Sequence, residues 1–219
     1  MQLPDWLRPL ATAAQQLRAE DLSRFLPPAD GGRASAVLVL FGEGSDGPDL
    51  LFIERAASLR EHAGQPAFPG GAVDESDADA VAAALREATE EVGLDPAGVD
   101  VFAALPGLWL PPSGFVVIPV LAWWRSPSAV GAVDVGEVAA VERVPLAELA
   151  DPRNRRRVRH PSGWIGPAFE VRGLFIWGFT AGVVDKLLHF GGWEVPWAAD
   201  EVADLPARAL PLSDPLDVR

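Results

Sequence analysis

A cluster of glutamates at the end of one helical segment constrains the possible folds of this chain more than any other feature. Apolar residues recur at helical spacing over residues 81–92, which predicts an amphipathic helix with one apolar face and one acidic face. Asp77 or Asp79 can cap its start, and Gly93 stands where a left-handed C-terminal cap is expected. The segment is therefore expected to be a helix that ends at Gly93.

The acids of this helix oppose one another. Glu87, Glu90 and Glu91 project from neighbouring points, and each like-charge pair costs about 0.2–0.5 kcal/mol. In the last turns the helix dipole adds about 0.3–1 kcal/mol for each anion. A bound cation would remove both costs, and ligands that are all oxygen suit Mg²⁺ or Mn²⁺. A solvated acidic face is the alternative interpretation.

Composition limits the class of protein that can carry this helix. The 219 residues are 49% hydrophobic and suit one globular domain with appendages. With 18 basic and 31 acidic residues the net charge is −13, which opposes binding to nucleic acid. The chain has no cysteine, signal peptide or apolar run of membrane-spanning length. We expect a cytoplasmic protein without a membrane partner, and a homodimer is left open.

The remaining pattern alternates strands with helices, which predicts an α/β layered domain. We expect a hairpin of strands at residues 34–42 and 49–56, followed after the acidic helix by further strands. Helices are expected at residues 5–26 and 174–190. The predicted organisation is an N-terminal helix and linker (residues 1–32), a central domain (33–190) and a tail rich in Trp and Pro (191–219). The tail is expected either to pack on the domain or to bind a partner.

Two glycines and an arginine complete the surroundings of the acids. Gly70 and Gly71 end a short strand, where a backbone without side chains can approach a ligand or offer a carbonyl to a metal. A simple turn is the alternative. Arg86 can hold the carboxylate of Glu87 or contact a phosphate, and the alternative is an ordinary surface ion pair.

At these residues the chain resembles the Nudix hydrolases. Their signature runs glycine, five residues, glutamate, seven residues, then a motif that "REATEEVGL" (residues 86–94) matches, with alanine at its first apolar position. The spacer from Gly71 to Arg86 is one residue longer than the common pattern. Counting forward from Gly71 puts Asp77 at the early glutamate, whose usual role is to brace the loop, while counting back from Arg86 puts Ala78 there.

A longer stretch, residues 50–94, looks like the branch that cleaves coenzyme A and its acyl derivatives. Later segments also look like that branch, so the resemblance covers roughly residues 34–190. It implies an α/β/α sandwich around a mixed β-sheet. It also implies hydrolysis of the pyrophosphate of coenzyme A to 3′,5′-ADP and 4′-phosphopantetheine, with a divalent metal as cofactor.

The resemblance implies roles for individual residues. Glu87 and Glu91 would be the principal metal ligands, with Glu90 on a second ion or orienting its water and Gly71 adding its carbonyl. Glu137 matches a late acidic position and is the first candidate for the general base, with Glu90 next. A solvated strand-edge glutamate is the other interpretation of Glu137.

The phosphates of such a substrate need cationic side chains, although the net charge of the protein is negative. Arg55, Arg60 and His62 match positions characteristic of the branch and are expected to bind the pyrophosphate or the 3′-phosphate, although arginines at strand ends often only face water. The basic run over residues 153–160 is interpreted as a structural or solvated loop rather than a ligand site. Trp177 and Phe179 are expected to be helical, and core packing is preferred to base stacking for them.

Other functions stay open at this point. A Nudix hydrolase of this kind can instead act on ADP-ribose, NADH, a nucleotide sugar or an oxidised nucleotide. A non-catalytic nucleotide-binding protein, or a scaffold that uses its tail, is the non-enzymatic alternative. The complete set of Glu87, Glu90 and Glu91 weighs against loss of catalysis.

Overall fold

The computed structural model describes residues 2–28, 31–59, 62–111 and 113–210. The helices are α1 (Arg8–Ala14), α2 (Ala19–Leu22), α3 (Ala80–Val92), α4 (Leu146–Ala150) and α5 (Gly178–Phe190). The strands are β1 (Arg33–Gly44), β2 (Gly47–Arg55), β3 (Pro66–Ala67), β4 (Gly70–Ala72), β5 (Val99–Ala104), β6 (Leu108–Leu110), β7 (Phe115–Trp124), β8 (Val138–Pro145), β9 (Arg155–Arg159), β10 (Ile165–Val171), β11 (Leu174–Ile176) and β12 (Val202–Asp204). Single turns of 3₁₀ helix are Asp5–Leu7, Pro96–Gly98, Pro152–Asn154 and Ala207–Ala209.

A mixed sheet forms the centre of the molecule. Strands β3, β2, β1, β7 and β5 follow one another across it, with β4 on β1, β6 on β7 and β8 on β2. Strands β1 and β2 form the hairpin that the sequence predicts, while β1 and β7 run parallel. The parallel pair needs a long crossover connection, and α3 lies within it. The predicted α/β class with a mixed sheet is confirmed.

Helices cover both faces of this sheet. Side chains alternate along β1, so Leu38 and Leu40 pack with α3 on one face, whereas Val39 and Phe41 pack with α1 and α5 on the other. All four are buried, and strands β2 and β7 divide in the same way. The result is the helix, sheet and helix layering that the resemblance implies. Helix α3, which carries the acidic cluster, covers one of the two faces.

The start of α5 corrects one prediction. Residues 174–176 form strand β11 rather than the first turn of a helix, and the helix begins at Gly178. The reason is a tight hairpin at Arg172 and Gly173, both with positive φ, which turns the chain back so that β11 pairs with β10. Trp177 therefore precedes the helix, and Phe179 packs at the edge of the main core as expected.

The N-terminal segment is also different from its prediction. The single helix expected over residues 5–26 is divided into a 3₁₀ turn, α1 and the short α2. The carboxylate of Asp21 accepts the backbone N–H of Arg18 at 2.9 Å and so caps a new helix there. Leu7 and Leu10 are fully buried in the main core, so the segment is part of the fold.

The C-terminal tail packs on the domain as far as residue 210. Strand β12 pairs in parallel with β9. Trp193 lies with its ring centroid 6.0 Å from that of Phe41 in the core. The sequence left open whether this tail packs on the domain or binds a partner, and the part that the structure describes packs on the domain. Among the described residues, every helix falls short of the length and apolarity that crossing a membrane requires.

Candidate active site

Helix α3 positions the acidic cluster by burying its opposite face. Ala83, Ala84, Ala88 and Val92 pack against the sheet. The carboxylate of Asp79 accepts the backbone N–H of Ala82 at 2.9 Å, so Asp79 rather than Asp77 is the N-cap. Gly93 ends the helix in the left-handed conformation, as the sequence predicts. The acids are thereby turned toward strand β4.

Strand β4 brings a glycine backbone against the helix. Gly70 pairs with Val37 of β1 and has a φ of 153°, a conformation that L side chains rarely adopt. A Cβ atom at Gly70 would stand 2.6 Å from the Cα of Val37, so only glycine allows the strands to come this close. The N–H of Gly70 donates to Oε2 of Glu91 at 3.0 Å as a result.

Glu91 is the most buried of the acids. It is 3% exposed. Burial raises the pKa of Glu91 to about 7, the hydrogen bond from Gly70 acts against this rise, and the charge of Glu87 adds to it. Burying a carboxylate with one hydrogen bond is unfavourable unless a cation joins it.

Glu87 lies directly against the second glycine. A Cβ atom on Gly71 would stand 2.6 Å from the Cδ of Glu87, so the carboxylate packs on the bare backbone. Burial raises the pKa of Glu87, and Glu90 and Glu137 add to the rise, while a 3.0 Å bond from Arg86 opposes it. Glu87 and Glu91 thus share a partly desolvated site beside β4.

Arg86 connects the helix to the preceding loop. It bonds Oδ1 and Oδ2 of Asp77 at 3.1 and 2.9 Å, and it also bonds Glu87 and Glu90 and the carbonyl of Ala72. The hydrogen bonds from Arg86 lower the pKa of Asp77. Of the two residues that spacing offered for the early acid, Asp77 is the one that braces the loop.

Ser35 is a contributor that the sequence analysis did not find. Its hydroxyl on β1 donates to the carbonyl of Gly71 at 2.6 Å, and the residue is 8% exposed. The bond holds the carbonyl that the sequence analysis assigned to a metal. The sequence does carry a signal for this residue, because Ser35 is a polar residue within the apolar run that forms β1.

Glu137 lies within electrostatic range of the same acids. It is exposed and lies immediately before β8, where its carbonyl accepts the N–H of Ala56 at 2.7 Å. Its charge contributes, after burial, to the raised pKa of both Glu87 and Glu91. The charge of this residue, distant in the chain, is therefore felt at the α3 cluster.

The three predicted cationic residues have different outcomes. The charge of Arg55 lowers the pKa of Glu91, so this arginine faces the cluster, and its buried Nε has no hydrogen-bond partner among the described residues. His62 is exposed and its Nδ1 lies 2.9 Å from Oε1 of Gln65, a contact that does not involve the acids. Arg60 lies outside the described residues.

The side chains around Glu87 and Glu91 offer oxygen donors to a metal. Within residues 2–28, 31–59, 62–111 and 113–210, no three acidic or histidine side chains form a ready-made cage. Glu87 and Glu90 both bond Arg86, and the Glu90 side chain is 60% exposed. Glu87 and Glu91 nevertheless suit a hard cation, because both are oxygen donors whose pKa values are raised by burial and by the charges of neighbouring carboxylates.

The basic run over residues 153–160 is structural, as interpreted from the sequence. The side chain of Arg155 is buried, pairs with Asp185 of α5 and stacks over Trp197 at 4.5 Å. Arg153 bonds Asp151, and Arg159 lies 3.6 Å from Asp204. This run fastens β9 to α5 and to the tail.

Comparison with known proteins places these observations in a family. The family model of the NUDIX domain matches residues 32–164. The uncharacterized Nudix hydrolase NudL of Cronobacter sakazakii is 44% identical over 146 residues, which are 64% of this chain and 73% of that protein. NudL of Citrobacter koseri is 38% identical over 192 residues, 84% of this chain and 92% of that protein. The crystal structure of the Nudix hydrolase RenU from M. smegmatis, 17% identical, gives a TM-score of 0.53 over 77% of this chain and 94% of that one, a likeness of fold.

Proposed function

This chain belongs to the Nudix hydrolase family, and on that premise we propose that its substrate is coenzyme A or an acyl-coenzyme A. The reaction is hydrolysis of the pyrophosphate to 3′,5′-ADP and 4′-phosphopantetheine or its acyl derivative. The observation that carries the proposal is the approach of Gly70 and Gly71 to Glu91 and Glu87, with Arg55 beside them. The segment that builds this arrangement is the one that resembles the coenzyme A branch.

In this proposal Glu87 and Glu91 hold Mg²⁺ or Mn²⁺, with Glu90 and the carbonyl of Gly71 as further oxygen donors. A divalent ion supplies charge neutralisation for the pyrophosphate and acidifies water. Arg86 keeps Glu87 and Glu90 in place through its bonds to both.

Proton transfer is assigned to Glu137. Its side chain makes no hydrogen bond with the described residues, whereas the carboxylate of Glu90 is engaged by Arg86. A carboxylate that faces the acidic cluster and keeps its lone pairs free is suited to accept a proton from water. Glu90 is the second candidate for this role.

Substrate anions are bound by cations at the end of β2. The Nε of Arg55 is buried without a partner among the described residues, and a phosphate oxygen would satisfy it. Arg60 and His62 are proposed to extend this contact, and Gly70 allows the substrate to approach the backbone. Arg55 also offsets part of the negative charge at Glu91.

The proposal is tested by product analysis with coenzyme A, ADP-ribose and NADH, each with Mg²⁺ and separately with Mn²⁺. Mass spectrometry should detect 3′,5′-ADP and 4′-phosphopantetheine from coenzyme A. Products from ADP-ribose or NADH alone would keep the family chemistry and overturn the coenzyme A assignment. An absence of turnover with every substrate and both metals would favour a non-catalytic nucleotide-binding protein.

Replacing Asp77 with Asn should lower kcat by about tenfold, because small displacements of a catalytic group cost up to about a hundredfold. The variant keeps the shape of Asp77 and removes the charge that holds Arg86. Asp74→Asn is the matched control, since Asp74 is 62% exposed and lies 3.6 Å from Arg86. Equal kcat values for the two variants in steady-state assays would show that Asp77 does not brace the site.

Replacing Ser35 with Ala should weaken Mn²⁺ binding by about fivefold, the effect of one hydrogen bond. The carbonyl of Gly71 then loses the hydroxyl that fixes its direction. Electron paramagnetic resonance titration with Mn²⁺ measures this without turnover. Ser45→Ala, in the turn between β1 and β2, is the control, and an unchanged titration for Ser35→Ala would contradict the role.

A further inference from the structure

A cleft beside the end of β2 has features of a base-binding site. Its walls come from three separate parts of the chain: Glu54 and Gln65 from β2 and the loop before β3, Phe175 and Trp177 from the hairpin before α5, and Arg208 from the C-terminal tail. Glu54 is the neighbour of Arg55 in the chain. The side chains of Glu54 and Arg55 point to opposite faces of the sheet, but the cleft lies at the same end of β2 as Arg55, because the N–H of Arg55 donates to the carbonyl of Gln65 at 3.1 Å.

The aromatic residues of this cleft are held in place by their other neighbours. Trp177 stacks on His160 with ring centroids 5.8 Å apart and an interplanar angle of 12°. Phe175 has the guanidinium of Arg208 at 5.6 Å from its ring centroid, and Arg208 is itself fixed by Glu170 at 2.7 Å. The parts of these rings that line the cleft can contact a planar base, for which aromatic side chains are common partners.

The polar groups of the cleft are suited to a base that carries an amine. The half-buried Glu54 makes no side-chain hydrogen bond within the part of the chain that the structure describes. The oxygen of Gln65 contacts His62, whereas its amide nitrogen donates to the carbonyl of Ala209 over a long 3.4 Å, so the N–H group can exchange this partner at little cost. A carboxylate accepts from an exocyclic amine, and an amide N–H donates to an adjacent ring nitrogen.

We infer that this cleft binds the adenine of the substrate, with Glu54 accepting from its exocyclic amine and Trp177 and Phe175 contacting the ring. The assignment rests on the proposed function, because adenine is the base of coenzyme A. It also gives the C-terminal tail a role, since Arg208 lines the cleft. Gln65 reads the neighbouring ring nitrogen.

The test compares AMP with IMP, in which a carbonyl replaces the amine of adenine. Isothermal titration of the full chain should give AMP about tenfold tighter binding than IMP, as one hydrogen bond to a charged group provides. Glu54→Gln should remove this preference, because its amide can donate to the carbonyl of IMP. Trp177→Leu should weaken the binding of both nucleotides by a similar factor of about ten. Glu201→Gln, an exposed glutamate of the tail, is the control and should keep the preference.

Each outcome decides the inference without reference to turnover. Loss of the AMP preference in Glu54→Gln alone supports it. Equal binding of AMP and IMP to the unaltered chain, an unchanged preference in Glu54→Gln, or no binding of either nucleotide overturns it. Because AMP and IMP have no pyrophosphate to cleave, these results are separate from failure of coenzyme A hydrolysis, which would reject the proposed function and leave a measured base site.

Discussion

Replacing Glu91 with Gln should lower kcat by about a thousandfold, since the charge that stabilises the reacting group is removed at a buried position. Gln keeps the size of the side chain and an oxygen that accepts the N–H of Gly70. The fold should therefore survive. Steady-state assays at saturating Mg²⁺ and Mn²⁺ measure the loss, and circular dichroism checks the fold.

The same variant should be more stable than the unaltered chain when no metal is present. Folding raises the pKa of Glu91 from 4.5 to about 7. The folded state thus binds more protons than the unfolded one between these values, so stability is lost as pH rises from about 4.5 to 7. Above pH 7 the ionised Glu91 costs about 3 kcal/mol, and Gln removes this cost.

Urea denaturation in the presence of a chelator, at pH 5 and pH 8, measures this difference. The gap in the free energy of unfolding between Glu91→Gln and the unaltered chain should widen toward pH 8. Glu201→Gln controls for the loss of one negative charge from an acidic protein. A Glu91→Gln variant that retains full activity, or that is the less stable protein at pH 8 without metal, would contradict the role assigned to this carboxylate.

Replacing Gly71 with Ala should lower kcat by about a hundredfold with little loss of stability. The added methyl group would overlap the carboxylate of Glu87. That carboxylate is the end of a flexible side chain, so it can move aside cheaply, but it then leaves the position proposed for the metal. Function is expected to suffer more than folding.

Gly182→Ala in α5 is the matched control for this substitution, because its Cβ would meet nothing within 4 Å. Ala also has the higher helix propensity, so the control should be at least as stable as the unaltered chain. Thermal unfolding and kcat are measured for both. Full activity of Gly71→Ala would show that Glu87 is not required where the structure places it.

The acidic helix and the first hairpin were predictable because their signals are local. Spacing of apolar residues, a capping aspartate and Gly93 specify α3 without reference to the rest of the chain. The resemblance then identified the same glutamates and Gly70. Nearly the whole acidic side of the site follows from one continuous segment.

Tertiary contacts explain what the sequence left undecided. Asp77 was one of two residues offered by counting, and only the bonds to Arg86 select it. Ser35 acts through Gly71, which is far from it in the chain and adjacent in the sheet. Likewise, the hairpin at Gly173 overrides the apolar pattern that predicted helix over residues 174–177.

The most direct test of the metal-dependent site is turnover of coenzyme A after treatment with a chelator. The treated protein should be inactive, and Mg²⁺ or Mn²⁺ should restore hydrolysis in the unaltered chain but not in Glu91→Gln. Full turnover by the chelated protein, or equal restoration in both proteins, would show that the carboxylates of α3 are not the catalytic centre.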